Sequence, residues 1–302
     1  MTTTLVLNAI LAWMWQVILH SFVCSVVFYG WTRWLGLPSG RTRRHLLAAA
    51  LVLPMLTALV PGRSGIEFRG SMAWFDGGRV LSLPLYAGVH LNHVVVAIGL
   101  LSVVATVWQE FLPALRHTRL ETEDAPAELV RRARVLPGWS ACRVVVTPSD
   151  EILIATDGPP WSPRAIFSRG SLEHLQSDQI DAVLRHENAH RRNGRWWVVH
   201  LLFALRTIQI FNPFALWCFR EYCVEVEILC DADAVAGYDN RSLATALLAV
   251  YETADPRDGS LGALRKRVDL LLGRRPYDTL ILNPAVELLA ISLLSVTLPW
   301  LV

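Results

Sequence analysis

The sequence predicts a mainly α-helical integral membrane protein. It should have about four transmembrane helices, a cytoplasmic α+β domain with a small β-sheet, and a helical hairpin associated with the membrane. Three observations predict this. The chain is 53% hydrophobic and only 18% charged over 302 residues, against roughly 25% charged in a soluble domain. Its apolar residues collect into stretches approaching or exceeding the ~20 residues that a membrane-spanning helix needs. Between those stretches lies one long polar segment carrying both strand-like and helical patterns. The net charge of +2 is too small to imply a nucleic-acid partner. The five cysteines include no Cys-x-x-Cys pair, and free thiols are the expectation in a cytoplasmic segment.

Residues 5–29 are apolar and long enough to span. The preceding Met1-Thr2-Thr3-Thr4 carries none of the basic residues that a signal peptide needs, and the cluster Arg41, Arg43, Arg44 follows instead. The positive-inside rule then puts the N-terminus outside and residues 33–45 in the cytoplasm. Residues 46–61 read as a second span interrupted by Pro54, 62–83 as a polar, Gly-rich outer loop, and 84–108 as a third span. Residues 1–112 are thus a three-helix membrane part, and 113–279 a cytoplasmic domain. Residues 280–302 are the last span, behind Lys266, Arg267, Arg274 and Arg275, which places the C-terminus outside. His20, His90, His93 and Glu287 fall in or near these spans, where ionisable groups invite attention.

Within the internal segment, 142–147 and 151–156 read as a β-hairpin across Pro148-Ser149-Asp150, and 164–169 as a third strand. Ser171 and Ser177 are candidate N-caps for the two helices that follow. The second of these carries His186-Glu187-Asn188-Ala189-His190, with no Pro or Gly until Gly194. Positions i and i+4 share a helix face, so His186 and His190 can hold one Zn²⁺ from one side. Glu187, one residue along, points beside the metal and is placed as a general base. The bland alternative is a solvated helix that happens to carry two histidines.

Residues 196–219 contain one fixed charge, Arg206, and break at Asn212-Pro213. A bent hairpin against the inner membrane face keeps the residues on its two sides in one compartment. That matters because the third ligand is expected after it. In 221–233, Glu227 and Asp231 share a face at i, i+4, among Val224, Val226, Ile228 and Leu229. Carboxylates in such a setting are costly unless paired. Glu227 as ligand and Asp231 as acceptor for a histidine N–H resolve the cost most simply. Glu225, Asp233 and Cys230 compete for the ligand role.

The combination of His186-Glu-Asn-Ala-His190, Phe211-Asn212-Pro213 with Trp217, and Glu227-Ile-Leu-Cys-Asp231 resembles the BlaR/MecR-type membrane zinc metallopeptidases. More distantly it resembles the HtpX and CAAX-prenyl proteases. The resemblance implies a gluzincin-like zinc protease domain over 113–279, with His186, His190 and Glu227 as zinc ligands, Glu187 as general base and Asp231 as supporting partner. It implies a multi-pass plasma-membrane protein that cleaves a cytoplasmic transcriptional repressor or itself. Two departures stand out. Arg195 occupies a position where many relatives carry Asp. The sequence also has neither the outer penicillin-binding domain nor a Ser-x-x-Lys motif in the outer loop, so direct covalent β-lactam sensing is not expected. A membrane quality-control protease and a non-catalytic zinc-containing receptor or scaffold are the alternative readings. For substrate, an extended peptide along a sheet edge near 142–169 is expected. The oxyanion donor is unknown, with Arg220, Tyr222, His174 and His200 as candidates.

Overall fold

The structure is a computed structural model and describes residues 2–34, 40–58, 84–86, 88–108, 121–137, 139, 142–157, 164–193, 196–253, 261–273 and 291–292. The outer loop read at 62–83 lies outside the described residues, as does the last span at 280–302 apart from residues 291 and 292. The chain opens with α1 (Thr2–Trp34), α2 (Arg41–Thr57), β1 (Pro84–Tyr86), β2 (Val89–His90) and α3 (Leu91–Thr106). It continues with β3 (Glu123–Asp124), α4 (Ala127–Val135), β4 (Arg143–Thr147), β5 (Ile154–Asp157), β6 (Arg164–Ser168), α5 (Arg169–His174) and α6 (Ser177–Asn193). The remaining elements are α7 (Trp196–Ile208), α8 (Pro213–Ala234), α9 (Asn240–Thr253) and α10 (Leu261–Leu271). They form two compact units: 1–117 with 200–223 and 280–302, and 118–199 with 224–279.

In the first unit, α1 and α2 pack side by side, and His20 Nδ1 lies 2.7 Å from the Thr57 hydroxyl. Among the described residues one helix is long and apolar enough to cross a membrane, over Trp13–Trp31 of α1, while the apolar runs Val96–Thr106 and Val198–Ile208 are shorter. The span read at 84–108 requires correction. Its first residues form the antiparallel hairpin β1–β2 instead. Pro84 lacks an N–H for a helix, and Gly88 turns the chain at φ 82°, a left-handed value that favours glycine. The helix α3 begins only at Leu91, and its 16 residues extend about 24 Å.

The break before Pro213 falls where the sequence places it, between α7 and α8. Phe203 and Phe219 meet across it with ring centroids 5.8 Å apart. The polar groups at the break find partners inside this unit. Asn212 Nδ2 donates to Ser21 at 2.7 Å, Gln209 Nε2 to the Leu51 carbonyl at 3.0 Å, and Ser102 to the Ile210 carbonyl at 2.9 Å. Phe211 and Phe214 stack edge-on against Trp13 and Phe22 of α1.

The second unit is built on a four-stranded sheet of order β3-β4-β6-β5. This corrects the expected hairpin. β4 and β5 are not neighbours; β6 lies between them, parallel to β4 and antiparallel to β5. β3 adds an edge strand from a stretch that reads as an acidic linker. Helix α6 packs Ala182, Val183 and Leu184 into a core with Trp139, Val144, Phe167, Leu243, Leu264 and Leu271.

The β4–β5 loop is tied to the start of α5. Ser168, not Ser171, is the N-cap, accepting from the Ser171 N–H at 2.9 Å. Ser171 Oγ donates to the Leu153 carbonyl at 2.9 Å, and the Gly170 N–H donates to the Ser149 carbonyl at 3.0 Å. Approach here is so close that a Cβ on Gly170 would stand 1.9 Å from the Asp150 carbonyl oxygen. Backbone, not a flexible side chain, blocks it. Gly170→Ala is therefore expected to destabilise the protein by about 2–3 kcal/mol, the upper range of overpacking costs. Thermal unfolding in detergent measures this, and an unchanged melting temperature would contradict it.

Candidate metal centre

Helix α6 runs without interruption through the His-Glu-x-x-His stretch, so His186 and His190 project from one face. Their ring centroids are 4.8 Å apart and their Nε2 atoms 3.1 Å apart. Glu227 on α8 completes a triangle. One carboxylate oxygen lies 3.4 Å from Nε2 of His186 and the other 3.3 Å from Nε2 of His190. Tetrahedral zinc with bonds of about 2.0–2.1 Å separates its donor atoms by about 3.3 Å. Two imidazoles and a carboxylate at these spacings fit a zinc ion in both chemistry and size. The three form the one group of ligand-type side chains that could hold a metal among the described residues.

The centre is buried on one side and open on the other. His186 and Glu187 are buried, while the side chains of His190 and Glu227 are 27% and 34% exposed. Partial exposure leaves room for water or substrate, as catalytic sites need and closed structural sites do not. Glu187 lies next to the triangle but outside it, and its carboxylate accepts a 2.5 Å hydrogen bond from the hydroxyl of Thr156 on β5.

Asp231, one turn beyond Glu227, is fully buried and faces Nδ1 of His186 at 2.9 Å. This approach is close, but it falls short of hydrogen-bond alignment. Behind Asp231 stands Arg267 of α10. Its Nε and Nη2 donate to the two oxygens of Asp231 at 2.7 and 2.8 Å, and its Nη1 lies 3.0 Å from Glu227.

The electrostatics follow from these contacts. Burial works against ionised Glu227, but hydrogen bonds from His186 and His190 and the nearby Arg267 charge hold its carboxyl well below the usual range. Burial likewise opposes ionised Asp231, and Arg267 reverses it. Burial alone would lower His186; the Asp231 carboxylate outweighs it, with Glu227 adding, and raises the imidazole to about 10.

The competing candidates fall elsewhere. Glu225 is fully buried but pairs with Lys266 at 2.9 Å. Asp233 is not part of the donor group. Cys230 Sγ lies 3.5 Å from Nδ1 of His190, the nitrogen that does not face the triangle, and burial followed by the Glu227 charge pushes its thiol far up. A protonated thiol is a poor zinc ligand. Among the oxyanion candidates, His174 uses Nδ1 on the Gly170 carbonyl at 2.9 Å. Arg220, Tyr222 and His200 belong to the first unit.

Sequence reasoning does not find Thr156 or Arg267. Nothing marks a lone Thr on a short strand. Arg267 does carry a signal: Leu264, Val268 and Leu271 bury one face of α10. Position 267 belongs to that face in the i, i+3, i+4, i+7 pattern. A basic residue on an apolar face implies a buried partner.

Two substitutions separate the ligand assignments. Glu227→Ala is expected to weaken zinc binding by more than the ~100-fold upper limit of an outer-shell change. Cys230→Ser should stay within the ~100-fold limit of an outer-shell change, because Sγ stands behind His190 and not among the donors. Metal analysis with chelator competition reads both. Retained zinc in the first variant, or loss in the second, would move the third ligand.

Residues 157–267 match the family model described as BlaR1 peptidase M56. No curated protein matches the chain. The matched span runs from Asp157, the last residue of β5, to Arg267; it contains His186, Glu187, His190, Glu227, Asp231 and Arg267, and Thr156 lies just before it. Residues 157–267 thus carry a BlaR/MecR-type M56 peptidase domain.

Proposed function

We propose that the chain is a membrane-embedded, zinc-dependent endopeptidase that cleaves a cytoplasmic or membrane-proximal protein. The observation that carries this reading is the convergence of His186, His190 and Glu227, with Glu187 beside them and not among the donors. A zinc ion held by the three side chains supplies Lewis acidity toward water and a peptide carbonyl. Glu187 takes a proton from the attacking water and delivers it to the leaving amine nitrogen, so one carboxylate serves as base and then acid. Thr156 fixes one of its oxygens and leaves the other available for that proton.

The same Thr156 links the base to the sheet. Among the described residues β5 is an edge strand in the order β3-β4-β6-β5, a position that suits the addition of an extended peptide. A substrate lying as an added strand on β5 would bring its scissile bond beside Glu187. The membrane reading rests on α1 and on large apolar side chains left exposed in the first unit: Phe22, Val26 and Tyr29 of α1, and Leu100, Leu101 and Val104 of α3. Patches of this kind suit contact with lipid. With Arg41, Arg43 and Arg44 inside, the N-terminus is outside, the peptidase domain is cytoplasmic, and 280–302 returns the chain outward. The substrate is a transcriptional repressor or the chain itself, a reading supported by family analogy.

Glu187→Gln tests the mechanism. It should reduce cleavage by at least about 10²–10⁴-fold, the range of general acid–base contributions, while the variant keeps one zinc per chain. Cleavage is followed on co-expressed repressor and on the chain's own length. Wild-type activity in this variant, or wild-type protein that binds no zinc, would favour a receptor or scaffold instead.

A further inference from the structure

We infer that Arg267 is a positioning residue of the metal centre. It sets the carboxylates of Glu227 and Asp231 in the orientations that aim one at both histidines and the other at His186. The inference rests on the zinc reading proposed above.

All three guanidinium nitrogens are engaged. Nε and Nη2 grip Asp231 side-on at 2.7 and 2.8 Å, and Nη1 reaches Glu227 at 3.0 Å. The oxygen of Asp231 that receives Nη2 is also the one facing His186 Nδ1, and the oxygen of Glu227 that receives Nη1 also faces His186 Nε2. One rigid plane therefore braces both carboxylates against the same imidazole. Nη2 stands 3.5 Å from His186 Nε2, at the border of the donor triangle. The Arg267 side chain is only 12% exposed and that of Asp231 1%, so water does not substitute for these bonds.

Glu227 and Asp231 lie one turn apart on α8, and like charges at that spacing repel. Without a cation between them, two carboxylates in a low-dielectric site would swing apart or take up protons. Charge balance points the same way. Glu187, Glu227 and Asp231 bring three negative charges, and Arg267 with a divalent ion brings three positive ones. A lysine would supply the charge but not the planar fork that meets two carboxylates at once. Lys266, the adjacent residue of α10, pairs with Glu225 of α8 at 2.9 Å, so the helix that presents Arg267 is itself held in place.

The test measures the zinc dissociation constant of the full chain in detergent, by chelator competition, for wild type, Arg267→Lys, Arg267→Gln, Asp231→Asn and the Asp231→Asn/Arg267→Gln double variant. Loss of an outer partner costs about 10–100-fold in metal affinity. Arg267→Gln is expected in that range and Arg267→Lys between it and wild type. The double variant should lose less than the product of the two single losses, because Arg267 acts in part through Asp231. At saturating zinc, KM should stay unchanged. Unchanged zinc affinity in both Arg267 variants overturns the inference, as does a multiplicative loss in the double variant. A fall in kcat alone, with zinc affinity intact, also overturns it and would place Arg267 on the substrate. If Arg267→Gln does not fold, Arg267→Lys decides by the same readings. Wild type that binds no zinc would instead overturn the metal reading itself.

Discussion

The second unit depends on keeping Asp231 ionised in its interior. A carboxylate with no exposed surface is tolerated only when its charge is met at close range. Two groups meet it: the Arg267 fork and the His186 ring. These come from three helices, α8, α10 and α6, so satisfying one buried charge fixes the mutual arrangement of three elements. The donor triangle follows from that arrangement. Glu227 is one turn from Asp231, and His190 is one turn from His186. Once Asp231 faces His186, the other two face each other across the same gap. The metal centre is thus a second contact between helices already joined by an ion pair.

The apolar scaffold supports this on the far side of α6. Ala182, Val183 and Leu184 seat the helix on the sheet and on α9, while Arg185 reaches the Ala234 carbonyl at 3.0 Å and stacks over Tyr238. The end of α8 is thereby tied to α6 a second time, beyond the metal centre. Gly170 plays a related part at the loop before β5. By letting α5 touch the β4–β5 loop, it holds the loop leading into β5, the strand that carries Thr156.

Features governed by short-range periodicity are legible in the sequence. The His186–His190 face and the Glu227–Asp231 face each need only four residues of helix. The break at Asn212-Pro213 is equally local. What the sequence hides is pairing at a distance. The parallel register of β4 on β6 joins strands separated by β5, and nothing in either strand selects its neighbour. Hydropathy reads 84–108 as one span because Leu85, Tyr86 and Val89 count as apolar whether they lie in a helix or a hairpin; Pro84 and Gly88 decide for the hairpin. Arg267 is obscured for another reason. Next to Lys266 and ahead of Arg274 and Arg275, it reads as part of a basic flank before a span, and that pattern masks its place on the buried face of α10.

The two glutamates of the centre show how environment separates roles. Glu227 is bordered by two imidazoles and a guanidinium, all favouring its ionised form, and both its oxygens are engaged. A carboxylate so held suits a ligand and is a poor carrier of protons. Glu187 accepts instead from the neutral hydroxyl of Thr156, on one oxygen. A neutral hydroxyl orients the carboxylate without placing a charge beside it. The roles proposed for them, proton carrier for Glu187 and ligand for Glu227, thus rest on what surrounds two chemically identical side chains.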